Sequence, residues 1–408
     1  MPDSQTGRAQ RAFEAAKPVL LAFALVAVAV AIRGGLLYSL GSSPQFPIAL
    51  AGSFALHLAT RPTRREIGVT LLVGLALRLA YGATYGVQPY FGSMPIAFGG
   101  FLGIASLLVL AYSAVRDKRF SAFGIAAFFP FVAILVGFIL PVSNRLSPVT
   151  YDAHLFAADG TLGFQPSFVL GRTIAGRPLV WDIVSIVYYA IPVPVALLCA
   201  ERMARKPVEV GRLLCLFGSL SVVGFSVYAI CPATGPIYAF RAWFPSQVPH
   251  LSYTALGAAL AVPGAPRNAM PSLHFGTALL VFWNTAHLRI PSRIAAGLFL
   301  AGTSFAVLAL GEHYLIDVIV AVPFVLMFQA AFTRSGAGNA RPRHVALWGG
   351  AAVTLAWLLT LRFGIYTLVA WPALAWTAIA VTLGFSMWAR HALLANSGSA
   401  AAEGPGYS

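Results

Sequence analysis

Apolar runs of about 20 residues, the length a helix needs to cross a bilayer, recur along almost the whole of this chain. Small groups of basic residues stand between them. No other feature restricts the fold as tightly. Inside lipid a backbone must satisfy its own hydrogen bonds, which favours helices over open sheet. Of the 408 residues 59% are hydrophobic and only 10% charged, which excludes an ordinary water-soluble domain. The net charge of +15 would suit nucleic acid. Its distribution does not, because the basic residues sit in short loops, as the positive-inside pattern requires. Nucleic acid is therefore excluded as a partner, and the bilayer takes its place.

The runs predict an all-α polytopic bundle of about twelve spans. They fall at about 18–40, 43–60, 67–87, 95–115, 121–143, 181–200, 213–231, 271–288, 294–311, 314–333, 344–361 and 366–388. Assigning alternate loops to the cytoplasm places most Lys and Arg there, including Lys17, Lys118 and Lys206. Both termini are then cytoplasmic, in a plasma (inner) membrane. The first run is long enough to act as a signal anchor. Arg33 and Arg78 fall within spans. The three cysteines suggest no disulfide framework and read as small core residues. Three regions follow: a four-span part over 1–120, a six-span core over 121–333, and two spans with a polar tail over 334–408.

Two loops carry the chemistry. Asn268-Ala-Met-Pro-Ser-Leu-His-Phe-Gly276 opens one apolar run, and Gly311-Glu-His-Tyr-Leu-Ile-Asp317 opens another. On a helix His313 and Asp317 would share a face, so the carboxylate would take one ring N–H and leave the other nitrogen free. The alternation of spans puts His274, His313 and Asp317 together on the extracytoplasmic face. Both runs start there, so both helices would aim unpaired N–H groups at one place, which suits a phosphate. Ser272 is a further donor or a plain helix-start residue. Glu312 is expected to face away. These residues point to phosphoryl transfer, with structural hydrogen bonding as the bland reading. The stretch Thr150–Gly160 reads as a helix in the outer interface or as a folded loop. Asp152, His154 and Asp159 lack a specific metal spacing.

Met270-Pro-Ser-Leu-His274 resembles the P-S-x-H motif of the phosphatidic acid phosphatase type 2 superfamily, and His313-Tyr-Leu-Ile-Asp317 its final H-x-x-x-D. The forms are most similar to the branch containing inositol phosphorylceramide synthase, as is Cys231-Pro-Ala-Thr-Gly-Pro-Ile-Tyr238. The likeness covers about residues 121–333. It implies that His313 attacks phosphorus and forms a phosphohistidine. Asp317 would fix its tautomer and His274 would handle the protons, with no metal and no cofactor. The chain departs from the pattern at Ala306 and Val307, which stand where the final motif has Ser-Arg. The K-x-x-x-x-x-x-R-P motif is also missing from 232–270. Arg267 is the first candidate for the lost phosphate-binding charge and Arg241 the second; either is equally an interfacial anchor.

The resulting expectation is a lipid phosphate phosphatase. The alternative is a phosphotransferase that uses an alcohol on a second lipid as acceptor. From other classes, a secondary transporter and an inactive membrane scaffold remain. Transporters place their sites near the midplane between repeats, whereas this polar cluster lies at the ends of spans.

Overall fold

The computed structural model describes residues 45–85, 94–117, 120–333 and 340–402. The first expected span, with Arg33, lies outside them. The helices are α1 (Gln45–Ala59), α2 (Arg64–Tyr85), α3 (Met94–Asp117), α4 (Phe120–Leu146), α5 (Asp152–Gly160) and α6 (Pro166–Ile174). They continue as α7 (Pro178–Tyr189), α8 (Pro192–Arg205), α9 (Pro207–Val227), α10 (Pro236–Ala239), α11 (Tyr253–Leu256) and α12 (Leu273–Trp283). The last five are α13 (Ile290–Ala309), α14 (Leu315–Phe332), α15 (Arg341–Phe363), α16 (Ile365–Ala370) and α17 (Pro372–Ala402). Proline opens many of them, a position where its fixed φ and missing N–H cost least.

Among the described residues seven helices are long and apolar enough to cross a membrane, or eight if the bent pair α7–α8 counts as one span. Their outer surfaces carry large apolar side chains such as Leu72, Leu298 and Met387, as a lipid-facing bundle must. The expected run at 271–288 is shorter than anticipated. Helix α12 has 11 residues, a length of about 16 Å, roughly half a hydrocarbon core. It stops at Asn284, whose side-chain amide donates to the Leu280 carbonyl and to Gln329 Oε1 on α14. The run at 181–200 is broken by a 42° bend between α7 and α8.

Helices α1–α3 pack on one another, and α1 seats them against α4 and α8. Helix α14 is the most enclosed of the spanning candidates. It touches α9, α12, α15 and α17, so the core is wrapped around it. Cys199 and Cys231 are buried, but Cys215 is exposed on α9, correcting its reading as a core residue.

The stretch 150–160 is not an interfacial helix. Residues 152–159 of α5 are all buried, packed against α14, α15 and α16. Its entrance is pinned by a two-stranded pairing, β1 (Val149–Thr150) with β2 (Leu260–Ala261), in register Val149 to Ala261. Amphipathic spacing showed that one face must be covered; here protein covers both.

Candidate active site

Helix α12 begins at Ser272, whose backbone is extended and whose Oγ accepts from the Phe275 N–H at 3.4 Å. Its own N–H donates to the Asp317 carbonyl at 3.2 Å, which ties the start of α12 to the start of α14. Ser272 is thus a buried helix cap.

Helix α14 is capped from two sides. Asp317 accepts the Tyr314 N–H at 2.8 Å. Asp159 of α5 accepts the N–H groups of Leu315 at 2.8 Å and Ile316 at 3.0 Å. Its first-turn donors are therefore committed, and the expectation that α14 offers free N–H groups to a phosphate is corrected. Desolvation raises the Asp159 carboxyl to about 7, against the two N–H donors that favour its ionised form.

The loop between α13 and α14 holds His313. Gly311 turns the chain at φ 72°, and a Cβ there would strike the Phe244 ring. The His313 N–H donates to Val307 O at 3.0 Å, and its carbonyl accepts from Ser167 Oγ at 2.7 Å. The ring is equally fixed. Nδ1 lies 2.8 Å from the Ala269 carbonyl and 3.4 Å from Asp317 Oδ2. A carbonyl can only accept, so Nδ1 carries the proton and Nε2 presents its lone pair. Nε2 is buried and has no partner among the described residues. Burial pushes the imidazole down to about 4, with the Ala269 carbonyl pulling the other way. His313 is thus neutral near pH 7, the state a nucleophile needs. Sequence spacing brought His313 and Asp317 together, but not on one helix face, since His313 precedes α14. A backbone carbonyl is the nearer acceptor.

His274, in the first turn of α12, stacks on Tyr188 of α7 with ring centroids 3.9 Å apart and planes 21° apart. Its ring centroid is 6.1 Å from that of His313. A phosphorus bonded to one nitrogen and an oxygen reached by the other fit that separation.

Glu312 does not face away. Its Oε1 accepts from Tyr238 OH at 3.1 Å, and its carboxyl also accepts from Tyr188, the ring on which His274 stacks. Desolvation raises it to about 7, opposed by these two hydroxyls. From sequence Glu312 is set aside as facing away, and nothing points to Tyr188. The available signal was a carboxylate among apolar residues at a span end.

Asp152, fully buried, accepts from the Thr234 N–H and hydroxyl, the Gly235 N–H at 2.9 Å and Tyr314 OH at 3.0 Å. It organises the Cys231–Pro236 loop beneath the site. Gly235, at φ 96°, presses so close to the Glu312 carbonyl that a Cβ would collide. The His154 ring lies 5.0 Å from that of Tyr151, tilted by 42°. Among the described residues no three His, Cys, Asp or Glu side chains converge as metal ligands.

The two arginines differ. Arg267 is buried and donates to four carbonyls: Ser147 at 2.9 Å, Val262 and Ala265 at 2.7 Å each, and Pro148 at 3.1 Å. It staples the loop before α12 to the end of α4, with little left for a phosphate. Arg241 is exposed on the turn after α10.

Fold and site together define a helical, multi-pass membrane protein with two histidines converging among buried carboxylates. A family model described as the PAP2 superfamily matches residues 153–331, which supports that superfamily and a phosphatase or phosphotransferase type of activity. The matched segment holds both histidine loops. No curated protein and no solved structure matches the chain.

Proposed function

We propose that this protein is a membrane phosphoryl-transfer enzyme acting on lipid phosphate esters through a phosphohistidine, most simply as a lipid phosphate phosphatase. The observation that carries the proposal is the His313 ring. Its Nδ1–H is held by Ala269 O, and its Nε2 is buried without a partner among the described residues, with the His313 and His274 rings 6.1 Å apart. In this reading Nε2 attacks phosphorus in line, and the bond from phosphorus to the ester oxygen breaks. Burial, then the neighbouring His313, push the His274 imidazole down to about 3. His274 therefore takes up its proton with the anionic phosphate ester beside it and then gives that proton to the departing oxygen. Neutral His274 then takes a proton from water, whose oxygen displaces the histidine and releases phosphate. Asp317 and the Ala269 carbonyl stabilise the ring as positive charge develops on it. Ser272 acts here by setting the start of α12, and Arg267 by fixing the preceding loop. Of the two candidate arginines, Arg241, exposed on the turn after α10, is the one left to reach phosphate oxygens.

The same steps with an alcohol in place of water give a lipid headgroup phosphotransferase, the reading favoured by the likeness to inositol phosphorylceramide synthase. The site belongs to the extracytoplasmic face of the plasma membrane, with both termini cytoplasmic, because that arrangement puts most basic loops inside. In this reading residues 121–333 are the catalytic core, flanked by accessory spans over 1–120 and 334–408.

The test is to trap the intermediate. Purified protein is incubated with phosphorus-labelled phosphatidic acid, quenched in alkali and examined for acid-labile label. Label that persists in His274→Gln and vanishes in His313→Ala is expected. Transport of a lipid phosphate into proteoliposomes without any product would replace the enzyme reading with a transporter. Absence of both would favour an inactive scaffold.

A further inference from the structure

Resting on the phosphoryl-transfer reading, we infer that the cavity leading away from His274 receives the hydrocarbon chain of the ester's leaving group. The cavity has a volume of about 190 Å³. His274 and Asn268 form part of its wall, with Ala133 and Val136 of α4, Ser221 of α9 and Ala49 of α1.

Three observations converge on this occupant. First, His274 is itself a wall residue. The oxygen it protonates must lie at the cavity's polar end, and the carbon bonded to that oxygen then continues inward. Second, the rest of the wall is mostly apolar, drawn from α1, α4, α8 and α9. Such a lining rewards methylene groups and offers a polar headgroup little. Third, the Asn268 side-chain oxygen is buried and without a partner among the described residues. A buried acceptor left over beside the reacting group awaits a donor. A hydroxyl or amide N–H next to the ester would supply it. The ligand class is therefore a lipid alcohol carrying a hydrogen-bond donor near its phosphate. Because α1 contributes Ala49, the N-terminal helices gain a role as a wall that selects the chain.

Ala133→Trp and Val136→Trp would each fill the space without touching the histidines. In mixed micelles of full-length protein, kcat/KM for 1-oleoyl lysophosphatidic acid, which keeps a free hydroxyl beside the ester, is expected to fall at least about tenfold, with water-soluble 1-butyryl lysophosphatidic acid within about twofold, the scale of excluding a few buried methylenes. Equal losses on both substrates, or none on either, would overturn the assignment. A readout independent of turnover uses Ser221→Cys in a Cys215→Ala background. Hexadecylphosphonate should slow its labelling by N-ethylmaleimide, and methylphosphonate and a neutral diacylglycerol should not. Equal protection by diacylglycerol would mean bulk lipid fills the space, which also overturns it. Should no ester be hydrolysed while hexadecylphosphonate still protects, the reaction fails and the chain site stands.

Discussion

Two buried polar clusters meet at Tyr314, and they are finished differently. On one side, every carboxylate oxygen of Asp152 and Asp159 has a donor from the Thr234–Gly235 loop, Tyr314 or the first turn of α14. On the other, His313 Nε2, Asp317 Oδ1 and the Asn268 oxygen are buried with no partner among the described residues. An unsatisfied buried polar group costs about 1–3 kcal/mol. A fold that satisfies one cluster to the last oxygen and leaves the adjoining one open has divided structure from chemistry. The carboxylates hold two loops and a helix end in place; the imidazoles are what they hold.

The sharpest break of that division is His313→Ala. Turnover is expected to fall by at least about a thousandfold, as when a covalent nucleophile is removed. Stability to thermal unfolding in detergent should fall by no more than about 1–3 kcal/mol, the cost of one stranded carbonyl, because the ring's hydrogen bond among the described residues is the one to Ala269 O. A large loss of stability would return His313 to the structural cluster. His274→Gln should cost about 10²–10⁴-fold in turnover, the range for general acid–base groups.

The opposite break is Asp152→Ala. It strips donors of Thr234, Gly235 and Tyr314 of their acceptor at once. Several kcal/mol of stability should go, at about 1–3 kcal/mol for each stranded group. Retained stability with lost turnover would make Asp152 a site residue instead. Arg267→Lys is a milder case. Lysine cannot reproduce a fork that serves four carbonyls, and a loss of about 1–3 kcal/mol is expected, with turnover per folded molecule unchanged. A selective rise in KM would restore Arg267 as a phosphate ligand.

The helical runs were legible because apolar length and flanking charge report directly on lipid. What lipid does not see was harder to read. The end of α12 depends on Asn284 reaching Gln329 across to another helix. Burial of α5 depends on α15 and α16, far along the chain. The histidine loops stood out because ionisable groups are scarce in such a sequence. The sequence displayed the charge of Arg267 but not the four carbonyls that surround it. Glu312 was misplaced for a specific reason. Neighbours in a helix point apart, but Gly311 at φ 72° has already ended α13, so the rule does not apply to 312 and 313.

Glu312 belongs to neither cluster cleanly, and its variant should have the smallest effect. Its carboxylate accepts from Tyr188 and Tyr238, and Tyr188 is the platform under His274. Glu312→Gln keeps an acceptor oxygen but cannot ionise. At pH 8, where the wild-type group is charged, turnover should fall only a few-fold, of order 1 kcal/mol. Below about 7 the wild-type carboxyl gains a proton and offers its two hydroxyl partners a poorer acceptor. Wild-type kcat/KM should therefore decline on the acid side near 7, and the variant should lack that limb. Stability should respond with the opposite sign. The folded protein keeps this proton up to about 7, and the unfolded chain releases it near 4.5. The folded state binds more protons across that window, so wild-type stability falls as pH rises through it, and the variant should lose this contribution to the slope. Glu312→Ala, which removes the acceptor as well, should cost more turnover than Glu312→Gln at every pH. Equal losses in the two variants would show that Glu312 acts through its charge alone and that the tyrosine platform does not position His274.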